Sequence, residues 1–308
     1  MPPTDMGTLA LTRKELYPEL IARNAGVIDA AAQRALRASQ VLIAGCGSIG
    51  GAAVEPLARL GVENFTLADP GTYEVNNLNR QNATLADMGR NKAQVAAERI
   101  TAINPACEVR VFSEGVTAET LGDLTARCAV IVDGVDVTTM SGLRAKYLLH
   151  EEAARLRRPL FTGWDMAGAQ YLRYYDYREV RRPFDGRLTA ADLDRLGMWQ
   201  LLQRLVPARF VPLEMIEVAA ANLENPDFSF PQLVYAADLF GALAARIVVE
   251  LLSERPVRKH TYLDLHQAVR RGPARWRTRV RRPLHAARAI ARVRRTAALP
   301  SPNHTTRR

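Results

Sequence analysis

A short apolar run, Gln40-Val41-Leu42-Ile43-Ala44, leads straight into Gly45-Cys46-Gly47-Ser48-Ile49-Gly50 and then into an Ala/Leu-rich segment, 50–61, that closes at Gly61. A run this short and this continuously apolar reads as a strand buried on both faces. Gly45, Gly47 and Gly50 let the chain bend tightly, bring backbone close to an anion and pack the next helix onto the strand. The start of that helix offers unpaired N–H groups and the positive end of its dipole to a phosphate. Phe65-Thr66-Leu67-Ala68-Asp69 is a second strand, and Asp69 stands where a carboxylate accepts hydrogen bonds from ribose hydroxyls. This unit restricts the chain to nucleotide-binding α/β sheets. An NAD enzyme would read the same way to this point.

The alternation continues beyond it. Helices are expected over 11–38, 91–103, 119–127 and 139–157, and strands at Glu108–Phe112, Ala129–Asp133 and Pro159–Thr162. Such alternation predicts a doubly wound, mostly parallel Rossmann-like α/β sheet with right-handed crossovers. After Gly163 the pattern changes. The aromatic stretch Gln170–Tyr177 predicts an antiparallel extension, followed by flanking helices over 189–206 and 232–252 and a last strand at Thr261–Leu265. The chain thus divides into an N-terminal helical segment (1–39), a nucleotide-binding core (40–163), a substrate-binding extension (164–269) and an Arg-rich tail (270–308).

Charge is concentrated in that tail. Thirteen of the 42 basic side chains lie between Arg270 and Arg308, where no acidic residue occurs, so the remainder carries 29 basic against 32 acidic groups. A run of this kind reads either as a solvated, partly disordered tail or as a surface for nucleic acid or another anionic partner. Cys46, Cys107 and Cys128 form no Cys-x-x-Cys pair, which argues against a disulfide framework and leaves no zinc expected. No apolar run approaches the roughly 20 residues of a membrane span, and the N-terminus lacks the pattern of a secretory signal. The expectation is a cytoplasmic protein with no membrane partner.

Cations decide between nucleotides. Asn76-Asn77-Leu78-Asn79-Arg80-Gln81 follows the second strand, Lys92 lies on the next helix, and Asp133-Gly134-Val135-Asp136 runs from the end of the fourth strand to just beyond it. Arg and Lys are the usual counter-charges of a polyphosphate. In this order the set resembles the ThiF/MoeB/HesA family, the prokaryotic relatives of ubiquitin-activating enzymes, over residues 15–163. The resemblance implies an adenylyltransferase that binds ATP and magnesium. In it Gly45, Gly47, Gly50, Asp69 and Asn77 would hold the nucleotide, Arg80 and Lys92 the polyphosphate, and Asp136 the metal. It also implies a homodimer in which Arg23 reaches the phosphates of the partner subunit's site. Asp133 either joins Asp136 or simply ends the strand.

The chain departs from the family at Gly71, where an acidic residue is often found two positions after the ribose-binding Asp, and in its cysteines. The zinc-binding cysteine pairs are missing, and no cysteine follows Gly163 to carry an acyl group. The implied reaction is attack of a carboxylate on the α-phosphate of ATP, releasing pyrophosphate, with the C-terminus of a ubiquitin-like sulfur carrier or a small peptide as substrate. A tRNA threonylcarbamoyl-adenosine dehydratase-like enzyme and an inactive nucleotide-binding scaffold are the alternatives. Trp164 and Asp165, past the last parallel strand, either contact substrate or close the strand.

Overall fold

Seven strands form one sheet in the order β3-β2-β1-β4-β5-β6-β7. In the computed structural model, which describes residues 13–297 apart from 224, 226 and 227, β1 (Gln40–Ala44), β2 (Asn64–Ala68), β3 (Glu108–Phe112), β4 (Cys128–Asp133) and β5 (Leu160–Met166) run parallel. Strands β6 (Ala169–Tyr175) and β7 (His260–Asp264) extend the sheet antiparallel. The mostly parallel, doubly wound sheet with an antiparallel extension therefore stands as the sequence predicts. Residues 1–12 of the N-terminal segment and 298–308 of the Arg-rich stretch lie outside the described residues.

The apolar strands make sense once both faces are covered. Along β1, Val41 and Ile43 face one layer while Leu42 and Ala44 face the other, as the two-residue period of a strand requires. The first layer holds α3 (Ser48–Arg59), α4 (Lys92–Ile103) and α10 (Val234–Leu252), whose Leu57, Ile100 and Phe240 are buried against it. The second holds α5 (Leu121–Thr125) and α6 (Met140–Arg155), with Leu124, Leu143 and Leu149. Helices α3 and α10 cross closely because Gly241 has no side chain; a Cβ there would lie 2.3 Å from the Ala52 carbonyl oxygen.

Local chemistry shortens several expected elements. The helix expected over 11–38 is broken into α1 (Arg13–Ile21), a 3₁₀ turn (Ala22–Asn24) and α2 (Ala30–Ala38). Gly26 adopts φ +86° in the gap, and the Asp29 side chain accepts the Ala32 N–H at 2.8 Å to start α2. The helix expected over 189–206 becomes α7 (Ala190–Arg195) and α8 (Met198–Leu205), separated at Leu196–Gly197. Two helices were not foreseen, α9 (Leu213–Ala221) and the short α11 (Leu265–Val269).

The Arg-rich stretch is a helix. The segment α12 (Gly272–Ala297) lies on α9 and α8. Arg282 donates to the Val211 and Arg209 carbonyls, and Arg281 and His285 pair with Glu217. The disordered-tail reading therefore does not hold for residues 272–292, although most of their side chains remain exposed. No helix among the described residues is long and apolar enough to cross a membrane.

Candidate nucleotide site

The C-terminal ends of β1, β2, β4 and β5 open into a cavity of about 950 Å³, at the upper end of the size range of small-molecule sites. Its floor is the glycine turn. Gly45 takes φ +84° and donates to the Ala68 carbonyl at 2.6 Å. A Cβ on Gly45 would meet the Gly134 carbonyl oxygen at 2.3 Å, and one on Gly50 would meet the Gly45 oxygen at 1.8 Å. Gly134 in turn donates to the Ala44 carbonyl at 2.7 Å. The loops after β1 and β4 are thus pressed backbone to backbone.

Asp69 staples this floor to the loop after β2. Its two carboxylate oxygens accept the Cys46 N–H at 2.6 Å and the Gly71 N–H at 2.7 Å. Burial raises its pKa, and these N–H groups oppose the rise. A carboxylate has about four acceptor positions, so lone pairs remain for ribose hydroxyls. Cys46 beneath it is wholly buried, and burial pushes its thiol well up. It is a packing residue.

Three sequence-predicted charges meet in the cavity. Arg80 is positioned by Gln232, whose Oε1 accepts its Nε–H at 2.5 Å, and by the Asn76 carbonyl and Asn79 amide. Desolvation lowers its pKa, while Asp165 and Asp136 oppose that. Lys92 begins α4 beside Gly71, with Asn91 capping the helix at 3.0 Å. Asp136 stands exposed at the rim, its oxygens accepting the Thr138 N–H at 2.9 Å and hydroxyl at 2.7 Å. Asn77 also faces the cavity, and its side chain closes the turn over 74–77. Gly45 and Gly47 line it, while Gly50 supports them from below. Arg23 does not take part: it is exposed on the 3₁₀ turn, outside the cavity of its own chain.

Two features of the site escaped the sequence reading. The first is a buried ionic network. Asp133 is fully buried and pairs with Lys146 Nζ at 2.5 Å and His150 Nε2 at 2.9 Å. Burial would raise its pKa, but the ammonium and imidazole outweigh that and hold it below the usual carboxylate range. His150 passes the network to the Tyr177 hydroxyl at 2.6 Å, and Lys146 also donates to Thr162 at 2.9 Å. The signal lay in α6, where Lys146 and His150 occupy the same helical stripe as buried Leu143, Leu149 and Ala153.

The second is the outer half of the cavity, which is apolar. Met215, Ile216 and Ala219 of α9, Phe230, and Ala289 and Ile290 of α12 form its wall. Where the two halves meet lies Asp165, only 7% exposed. Its Oδ2 accepts the Ser48 hydroxyl at 2.5 Å, and its Oδ1 has no partner. Burial pushes its carboxyl up to about 6 against the pull of Ser48 and Arg80. Gln81 Oε1 is likewise buried without a partner. Orphaned buried polar atoms of this kind are uncommon and mark places where a ligand or water completes the bonding.

Residues 21–174 match the family model described as ThiF family. The chain is similar to the sulfur carrier protein ThiS adenylyltransferase of Escherichia coli, with 34% identity over 131 residues, covering 42% of this chain and 50% of that protein. It is also similar to the tRNA threonylcarbamoyladenosine dehydratase of the same organism, with 35% identity over 126 residues, covering 40% and 45%. These matches span about half the length of those relatives. In structure it resembles E. coli TcdA, that dehydratase in a crystal complex with ATP, at a TM-score of 0.57 and 22% identity, covering 79% of this chain and 98% of that one. That likeness bears on the fold.

Proposed function

Because this chain belongs to the ThiF family, we propose that it is an ATP-dependent adenylyltransferase that activates a carboxylate and releases pyrophosphate. One observation carries the reading: the glycine turn, Asp69, Arg80, Lys92 and Asp136 converge on one cavity. The triphosphate of ATP carries more charge than the pyrophosphate of a dinucleotide, and two cations with a rim carboxylate suit it better.

In this reading the N–H groups at the start of α3 and the Gly45–Gly47 backbone bind phosphate, and Asp69 takes the ribose. Arg80, fixed by Gln232, and Lys92 stabilise the charge that develops on the departing pyrophosphate. The acyl carboxylate is already ionised at neutral pH, so its attack on the α-phosphate needs orientation more than a general base. Asp136 suits magnesium, which is held largely by substrate phosphates and one or two carboxylates. As the family resemblance implies, Arg23 would reach the site of a partner subunit in a homodimer. The acyl group belongs in the apolar outer half, and a sulfur-carrier C-terminus or a small peptide would enter there. The reading places the enzyme in the cytoplasm.

Calorimetric titration with magnesium-ATP and with NAD separates the nucleotide classes. Binding of ATP that weakens at least tenfold in Arg80→Ala and Lys92→Ala is expected; binding of NAD instead would overturn the proposal. Pyrophosphate release is then screened against carrier proteins, short peptides and modified tRNA. The tRNA arm covers the dehydratase reading, which the second relative favours.

A further inference from the structure

Helix α12 has one face docked and the other bare. Thr278, Arg282, His285, Ala286, Ala289 and Ile290 are its less exposed positions. On the opposite side Trp276, Val280 and Leu284 follow one another at four-residue spacing and are 66%, 53% and 53% exposed. That spacing keeps them on one stripe of a helix. Arg277, Arg281 and Arg288 are exposed along its border, and no acidic residue occurs anywhere from Arg270 to Arg308.

We propose that this face of α12 is a peripheral docking surface for an anionic phospholipid bilayer. Large apolar side chains on one stripe with arginines beside them are the composition of helices that lie in the membrane interface. Trp is at home at that depth because its ring is amphipathic. The arginines supply attraction to acidic headgroups, and their stems remain long enough to hold the charges at the headgroup level. Association of this kind requires no membrane span. The charge pattern disfavours the other occupants. A second α12 packed symmetrically on the stripe would bring arginines against arginines. Duplex nucleic acid would engage the arginines through phosphate and leave Trp276, Val280 and Leu284 wet.

Flotation with vesicles of phosphatidylglycerol and phosphatidylcholine, and with phosphatidylcholine alone, tests this on the full chain. Binding only to the acidic vesicles is expected. It should weaken at least tenfold in Trp276→Ala/Leu284→Ala, whose positions are exposed and leave the fold intact, and about fivefold for each of Arg277→Ala and Arg288→Ala. A blue shift of tryptophan emission on vesicles, absent in Trp276→Phe, is expected as well. The proposal falls if acidic vesicles do not bind, or if binding is indifferent to Trp276→Ala/Leu284→Ala. It falls equally if that double variant turns a dimer into a monomer in light scattering, or if duplex RNA displaces the vesicles and binds the double variant as well as the parent.

Discussion

Replacing Asp165 by Asn should make the protein more stable at neutral pH. The carboxyl is buried with one oxygen unpartnered, and its folded pKa of about 6 lies above the ordinary 3.8. The native state therefore keeps this proton over a range where the unfolded chain has lost it. Stability falls as pH rises from about 4 to about 6 and stays lower above that. A gap of roughly two pH units corresponds to about 3 kcal/mol, an upper figure for what Asn recovers. Asn retains an oxygen to accept the Ser48 hydroxyl and carries no charge to desolvate. Urea unfolding of both proteins at pH 4 and pH 7.5 is the assay. The two should agree at pH 4 and separate by 2–3 kcal/mol at pH 7.5, with the parent alone losing stability between. Equal stability at pH 7.5, or the same pH slope in both, would refute the reasoning.

Two further outcomes follow from the same geometry. Lys146→Met takes the ammonium from fully buried Asp133 and leaves only the His150 ring beside it, so it should cost about 3 kcal/mol at pH 7.5. The loss should shrink toward pH 4.5, because without the ammonium the folded Asp133 takes up a proton before the unfolded one does; urea titrations at both pH values check this. Deleting residues 271–308 removes the Ala289–Ile290 wall and the Arg281–Glu217 pair. Dye binding to exposed apolar surface should rise severalfold, while calorimetric ATP affinity stays within about threefold because the glycine turn is untouched.

The core was legible because its signals are local. A buried parallel strand is nearly continuously apolar, and Val130-Ile131-Val132 or Val41-Leu42-Ile43 declare it in three residues. Asp69, Arg80, Lys92 and Asp136 were legible by their order, and they do meet in one cavity. What that order could not convey is contact across the chain. Arg80 is aimed by Gln232, 152 positions away, and Ser48 meets Asp165 across 117. The Arg-rich stretch misled for a related reason. Its composition favours solvation, yet Arg281 and His285 pair with Glu217 of α9 and Arg282 reaches the Val211 and Arg209 carbonyls. Lys146 was hidden because a lysine on an apolar stripe looks like an interruption until the carboxylate opposite it is known.

The back-to-back loops after β1 and β4 set the terms on which this site can diversify. With Gly45, Gly50 and Gly134 separated only by backbone, neither loop can gain a residue or a side chain without dislodging the other. The phosphate cradle and the segment bearing Asp136 therefore behave as one casting. Under the proposed function, new acyl preferences have to be written elsewhere, in α8, α9 and α12.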